Sequence, residues 1–467
     1  MTLSVHKGCL LAAMLSLSVA AQAESPTVQG WLTSADGSQR LAPMAGIRTV
    51  QLSSGQRADI SIDTSQRFQR MAGFGASITD ATAWLIQTRM PEKARGDLLH
   101  ELFSPRDGIG FSVTRITIGA SDFSQSHYTY ADVPGNPVAN IAPARAHLIP
   151  TLKAMRKINP QLQIIATPWS APAWMKTSNS LIKGRLKPEH YGSFARYLVS
   201  YAQAMRKAGA PVDIVTIQNE PHFEPDNYPG MRVEPAERAD FIANHLGPLL
   251  RRSLPRTKLL DWDHNWDQPE SPTAVLSDTK AARFIDGVAW HCYGGDVAAQ
   301  SVVRDRFPSK EVWFTECASG NWSGDWGTSF NWAIRNLIIG TTRNWAKGVV
   351  MWNLALDERH GPHLGGCGDC RGLVTIDSQT GAITREPEYY AFAHASKYVA
   401  VGADRIASES ADKAFESVAF QKGRGGAVTL IAFNGADAQR AMTFAVDGRV
   451  YEARMPAGAV ATFRVPK

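Results

Sequence analysis

Short apolar runs alternate with amphipathic stretches from about residue 67 to residue 400. The runs fall at 71–77, 111–118, 163–167, 212–218, 258–262, 287–293, 311–315 and 348–353. Several, such as 111–118, 163–167 and 212–218, are rich in β-branched residues, and each has the length of a buried strand. Helical periodicity between them is strongest at 188–208 and 234–250. Eight strand–helix units in one unbroken stretch predict an α/β fold, a (β/α)8 TIM barrel. A doubly wound open sheet is the structural rival. It would carry a glycine-rich phosphate turn after its first strand, and Gly73-Phe74-Gly75 has no such continuation.

The flanks have a different rhythm. Residues 24–66 hold short strands, with period-two alternation at 58–62. They are too few to bury a core of their own. Beyond about 401 the chain again reads as short strands between glycine turns, at 417–420, 427–433, 442–446 and 459–465. Because chain termini often meet in space, the segments 24–66 and 401–467 are expected to build one accessory β-sandwich beside the barrel at 67–400.

The first residues read as a targeting signal. His6 and Lys7 precede an apolar run at 10–19 and a small-residue cleavage site at Ala21-Gln22-Ala23. The run is too short to span a bilayer, and no other stretch is long enough. This predicts cleavage after Ala23, a secreted or periplasmic protein, and no integral membrane segment afterwards. Cys9 lies before the apolar run, which disfavours lipid attachment there.

The formal charge of +6 over 467 residues is spread without a dense Lys/Arg run, which excludes a nucleic-acid binder. Signal removal leaves four cysteines: Cys292, Cys317, Cys367 and Cys370. An exported protein can oxidise them.

Two strands end in an acid. Val215-Thr216-Ile217-Gln218-Asn219-Glu220-Pro221 closes the fourth, and Val312-Trp313-Phe314-Thr315-Glu316 the seventh. Strands four and seven oppose each other in an eight-stranded ring, and catalytic groups of such barrels sit at strand C-terminal ends. Glu220 and Glu316 are therefore expected to face one substrate. Two carboxylates across a sugar ring are the machinery of glycoside hydrolysis, one neutral to protonate the leaving oxygen and one charged. The bland reading is two solvated strand-end acids. The 13 tryptophans favour a sugar, since aromatic faces stack on its C–H face. Trp169, Trp174, Trp290, Trp313 and Trp352 fall on or just after predicted strands, where core packing is the alternative role.

The motif Gly73-Phe74-Gly75-Ala76-Ser77-Ile78-Thr79-Asp80-Ala81 resembles the first-strand signature of glycoside hydrolase family 30, the family of acid β-glucosidase (glucosylceramidase). Ser121-Asp122-Phe123, Thr167-Pro168-Trp169-Ser170, Thr216 to Pro221, His291 to Tyr293, Thr315-Glu316-Cys317 and Trp352-Asn353 continue the resemblance in order. It implies a barrel with a sandwich drawn from both termini and a retaining mechanism without cofactor or metal. It further implies Glu220 as acid/base and Glu316 as nucleophile. Asn219 would hold the sugar 2-OH, Asp122 and Trp169 its outer hydroxyls, and Trp352 would stack beneath it. Tyr293 would sit beside the nucleophile, with Arg115 near Glu316 as a supporting cation or as part of a structural ion pair.

One loop departs from the mammalian glucosylceramidases. After strand eight come His360-Gly361-Pro362-His363 and Cys367-Gly368-Asp369-Cys370. Zinc on two histidines and two cysteines is one reading, and a disulfide closing the loop is the other, favoured by export. Asp369 or Arg371 there is a further candidate for sugar contact. Cys292 and Cys317 flank site residues on adjacent strands and are expected to turn away from the cleft as buried free thiols.

The sequence thus points to an exported retaining β-glycosidase of glucosylceramidase type acting on a β-linked carbohydrate or glycoconjugate. The alternatives are an endo-β-1,6-glucanase, β-xylosidase or xylanase on the same fold, a catalytically inactive sugar-binding barrel, and a metal hydrolase resting on the His/Cys loop.

Overall fold

A computed structural model describes residues 1–4 and 27–467. The expected signal and its cut after Ala23 lie outside the described residues. No helix among those described is long and apolar enough to cross a membrane.

Eight parallel strands close a barrel: Gly73–Ala76, Val113–Ile118, Gln163–Pro168, Ile214–Thr216, Lys258–Asn265, Gly287–His291, Glu311–Glu316 and Ala346–Met351. Closure comes from pairing the eighth with the first, Gly348 opposite Gly73 through Met351 opposite Ala76. Seven strands, and the residue just before the first, each send one side chain into the lower lumen. Ala72, Val113, Ile165, Ile214, Leu260, Ala289, Trp313 and Val350 form that apolar layer. Trp313 is thus a barrel filler, and Trp290 is fully buried as well.

Period-two alternation places a second layer above the first, from Arg115, Thr167, Thr216, His291 and Thr315. This layer is polar and wholly buried. It is the floor on which the site stands.

The fifth strand runs three residues past the predicted 262. Trp262 and Asp263 have φ of +78° and +56°, and the pairing with strand six slips between Trp262 and His264. Such a bulge re-aims a side chain, here Asp263, into the lumen. Left-handed backbone at a bulky non-glycine residue is costly and persists where surrounding contacts fix it.

The predicted helix at 188–208 is a short 3-10 turn at Pro188–His190 and an α-helix at Tyr191–Lys207, burying Phe194, Leu198, Tyr201 and Met205 at three- and four-residue spacing. The stretch 234–250 becomes Pro235–Asp240, a π-helical Phe241–Leu246 and Gly247–Ser253.

Both flanks join one ten-stranded sheet. Gln29–Thr33 pairs with Val460–Val465, and Ile60–Arg70 pairs with Asp404–Ser410 and Arg440–Val446. A second core of residues such as Leu32, Ile60, Phe444 and Phe463 lies within it. The strand Ile60–Arg70 runs past the predicted edge at 66 and delivers the chain to the barrel at Met71. His394, on the helix Pro387–Ser396, ties the units together by hydrogen bonds to Thr33 (2.8 Å) and Thr462 (2.9 Å).

Candidate active site

A cavity of about 620 Å³ opens at the C-terminal mouth of the barrel. Asp122, Trp169, Asn219, Glu220, Tyr293, Glu316 and Trp352, picked out from the sequence, all line it, together with Cys367 and Cys370. Arg115 lies beneath, fully buried within strand two.

Arg115 organises one side. Its Nη1 donates to Glu316 Oε2, and its Nη2 donates to Asn219 Oδ1 and Asp263 Oδ2, both at 2.8 Å. Its Nε donates to Thr167 at 3.2 Å. The guanidinium carbon is 4.8 Å from the Trp169 ring centroid and 5.6 Å from that of Trp352. Those two rings stack on each other at 5.1 Å. Tyr293 Oη donates to Glu316 Oε1 at 2.9 Å, so both oxygens of Glu316 are held.

A buried charge is tolerated when its partners are in place and is very costly once one is removed. Arg115→Met leaves Asp263 and Glu316 facing each other without their cation. It is expected to lower unfolding stability by about 3–5 kcal/mol in chemical denaturation. A loss below about 1 kcal/mol, the scale of an exposed pair, would contradict this arrangement.

Glu220 lies four residues beyond the end of strand four, not just past it. The chain turns there with Glu220 at φ +46°, and its N–H donates to the Asp263 carbonyl at 3.0 Å. Its Oε1 is 3.1 Å from His291 Nδ1 and 3.8 Å from His264 Nδ1. Burial raises its proton affinity and the charge on Glu316 adds to this, while His291 opposes; the net displacement is upward.

Asp263 links the two halves. It accepts from Arg115, Thr167 (3.0 Å) and Thr216 (2.8 Å) on Oδ2, and from His291 (2.9 Å) and Thr315 (2.6 Å) on Oδ1. Burial disfavours its charge, but Arg115 and His291 outweigh burial and hold it well below the usual carboxylate range. His291 is pushed up to about 9, because Glu316, Asp263 and Glu220 overcome the penalty of burial. It is a cation at neutral pH. His264 falls to about 3, from burial and the neighbouring His291 charge, and is neutral. Asp122 rises to about 7 through burial and the proximity of Glu316.

Glu220, His264 and His291 are the one trio among the described residues whose donor atoms lie close enough to hold a cation, within 4.8 Å of one another. Both His291 nitrogens already face carboxylates, which stabilises its protonated form and makes it a poor metal ligand.

The expectation for Cys292 and Cys317 is corrected. They form a disulfide, with Cα atoms 5.4 Å apart. Parallel pairing sets His291 opposite Glu316, so the next residue on each strand turns the same way and the two sulfurs meet. Neither lines the main cavity. Cys367 and Cys370 are also joined, so the loop after strand eight offers no thiolates. His360 bonds Asn321 and His363 the Gly365 carbonyl. Gly366 packs so tightly on Asp122 that an added Cβ would come within 2.4 Å of the Asp122 Cβ. Asp369 and Arg371 do not line the cavity; Arg371 pairs with Glu388 at 3.1 Å.

Sequence reasoning missed Asp263, His264, Trp322 and Tyr228, and did not assign a role to His291. The polar triplet Asp263-His264-Asn265 directly after a buried run was the available signal for the first two.

A model of the Glycosyl hydrolase family 30 TIM-barrel domain matches residues 71–399, and one of the family's beta sandwich domain matches 402–463. The chain is 36% identical over 394 residues to an Endo-1,6-beta-D-glucanase of Neurospora crassa, covering 80% of each chain. It is 30% identical over 410 residues to the Lysosomal acid glucosylceramidase of Mus musculus, covering 80% of this chain and 76% of that one. A solved structure of an endo-beta1,6-glucanase superposes with a TM-score of 0.87 at 32% identity, over 94% of this chain and 99% of that chain. A closed parallel barrel, a strand sheet drawn from both flanks and these matches across both units together make the chain a member of glycoside hydrolase family 30, and a glycosidase.

Proposed function

We propose that the protein is an exported, retaining endo-β-1,6-glucanase with Glu220 as acid/base and Glu316 as nucleophile. The observation that carries the chemistry is the opposite treatment of two acids in one cavity. Glu220 is pushed toward its neutral form, whereas Glu316 sits on a buried guanidinium and a phenol hydroxyl. Glu316 attacks the anomeric carbon while the Glu220 proton passes to the leaving oxygen, breaking the glycosidic bond and forming a glycosyl ester on Glu316. Water then attacks the ester and gives its proton to Glu220. Asn219 Oδ1 is taken by Arg115, which leaves its NH2 to donate to a sugar hydroxyl.

The sequence alone put a glucosylceramide-type bond first. The β-1,6-glucanase reading draws more support, from the higher identity to relatives named for that activity and from the cleft wall. Its exposed large side chains, Phe223, Tyr293 and Trp322, are rings. Rings suit a file of sugars, whereas a ceramide would call for a broad aliphatic rim. The two disulfides support export to an oxidising compartment.

A panel of β-1,6-glucan, xylan, glucosylceramide and aryl β-glycosides tests the specificity. Expected is the highest kcat/KM on β-1,6-glucan. Preference for glucosylceramide or xylan by tenfold or more would overturn it.

A further inference from the structure

A second cavity, of about 430 Å³, adjoins the catalytic one. Tyr293, Ala318 and Trp322 line both and form the ridge between them. The new cavity lies beyond the ends of strands six and seven, between these, the helical segments Trp326–Trp332 and Ala333–Gly340, and Met351 of strand eight. The Cys292–Cys317 disulfide fixes that ridge from below, and Cys292 itself lines the second cavity.

Its lining is unusual for a surface hollow. Tyr293, Trp322 and Trp332 are left 46%, 54% and 42% exposed. Large aromatic rings gain substantially from burial, so three at one place mark a surface shaped for something to cover. Between them are the hydroxyls of Ser319, Ser323, Thr328 and Ser329 and one acid, over an apolar base of Ala333, Leu337 and Met351. Ser319 and Glu388 are buried wall residues, and Ser319 Oγ and Glu388 Oε2 have no hydrogen-bond partner. A buried carboxylate oxygen left unpaired is costly unless something supplies a donor. Rings to meet C–H faces, with acceptors to meet hydroxyls, are what a pyranose needs, and the apolar base lies under the rings.

We propose that this cavity is a binding subsite for a further glucosyl unit of the substrate chain, reached by crossing the Tyr293–Trp322 ridge. The inference rests on the β-1,6-glucan reading and extends it. A 1,6-linkage carries one more rotatable bond than linkages to ring carbons. A chain so joined bends over a ridge into an offset hollow that a stiffer chain would pass by.

Trp332 lines only the second cavity, which makes it the place to cut. In the Glu316→Gln protein, calorimetry would compare binding of a β-1,6-linked glucose disaccharide and hexasaccharide with and without Trp332→Ala. Loss of one stacking ring is expected to weaken hexasaccharide binding about three- to tenfold relative to the disaccharide, with part restored by Trp332→Phe. Thermal unfolding of both variants verifies that they fold. A hexasaccharide-to-disaccharide affinity ratio unchanged by Trp332→Ala overturns the subsite and leaves the β-1,6 reading standing. Failure of the parent Glu316→Gln protein to bind either saccharide overturns both. An effect of Trp332→Ala confined to glucosylceramide, with hexasaccharide binding intact, would assign the hollow to a lipid and also overturn the proposal.

Discussion

Glu316→Gln should reduce turnover of β-glucosides by on the order of 10⁴- to 10⁶-fold. The substitution keeps the shape and removes the proposed nucleophile. Arg115 and Tyr293 hold both oxygens of Glu316, so no other carboxylate is placed to substitute for it. Asp122 lines the same cavity, but its pKa of about 7 leaves it largely protonated in mildly acidic buffer. An activated 2-fluoro-glucoside should form a stable ester that peptide mapping places on Glu316. An ester on any other residue, or residual turnover above about 1% of the parent, would contradict the assignment. Azide added to Glu316→Ala should yield a glycosyl azide of inverted configuration.

Glu220→Gln should depend on the leaving group. Natural glucan linkages need the proton, so their cleavage should fall about 10²- to 10⁴-fold. An aryl glucoside with an acidic phenol leaves without help, so formation of its glycosyl ester should be affected far less. The pH profile supplies a second readout. Glu220 must carry its proton to act, and its folded pKa is raised above the ordinary 4.5 by burial and Glu316. Activity is therefore present below that raised value and lost as pH climbs through it. This basic limb should vanish from the aryl-glucoside profile of Glu220→Gln. Equal losses on all leaving groups, with the limb intact, would move the acid role elsewhere.

The sequence made the barrel legible because each apolar run had to be buried on both faces, and eight such runs leave few other closures. It made the pair of acids legible because a buried strand rarely ends in a carboxylate without cause. What joins the pair was hidden. Asp263 enters the lumen through left-handed backbone at Trp262 and Asp263, and no periodicity encodes a bulge. The predicted strand stopped at 262 for that reason, one residue before the group that unites Arg115 with His291. The Cys292–Cys317 disulfide was misjudged because facing away from the cleft was taken to mean facing hydrocarbon. Adjacent strands in parallel register turn both sulfurs toward each other instead. Of five tryptophans at strand positions, Trp169 and Trp352 line the catalytic cavity, while Trp290 and Trp313 fill the interior. Trp322, which does line it, lies in the loop after strand seven, where period-based reading has no purchase.

The most direct test is time-resolved proton NMR of linear β-1,6-glucan during the first minutes of hydrolysis. Expected is the early appearance of reducing ends in the β configuration, on fragments of several lengths at once, with the α anomer growing only as mutarotation proceeds. Early α anomer, or glucose as the sole product, would contradict a retaining endo-acting enzyme built on Glu220 and Glu316.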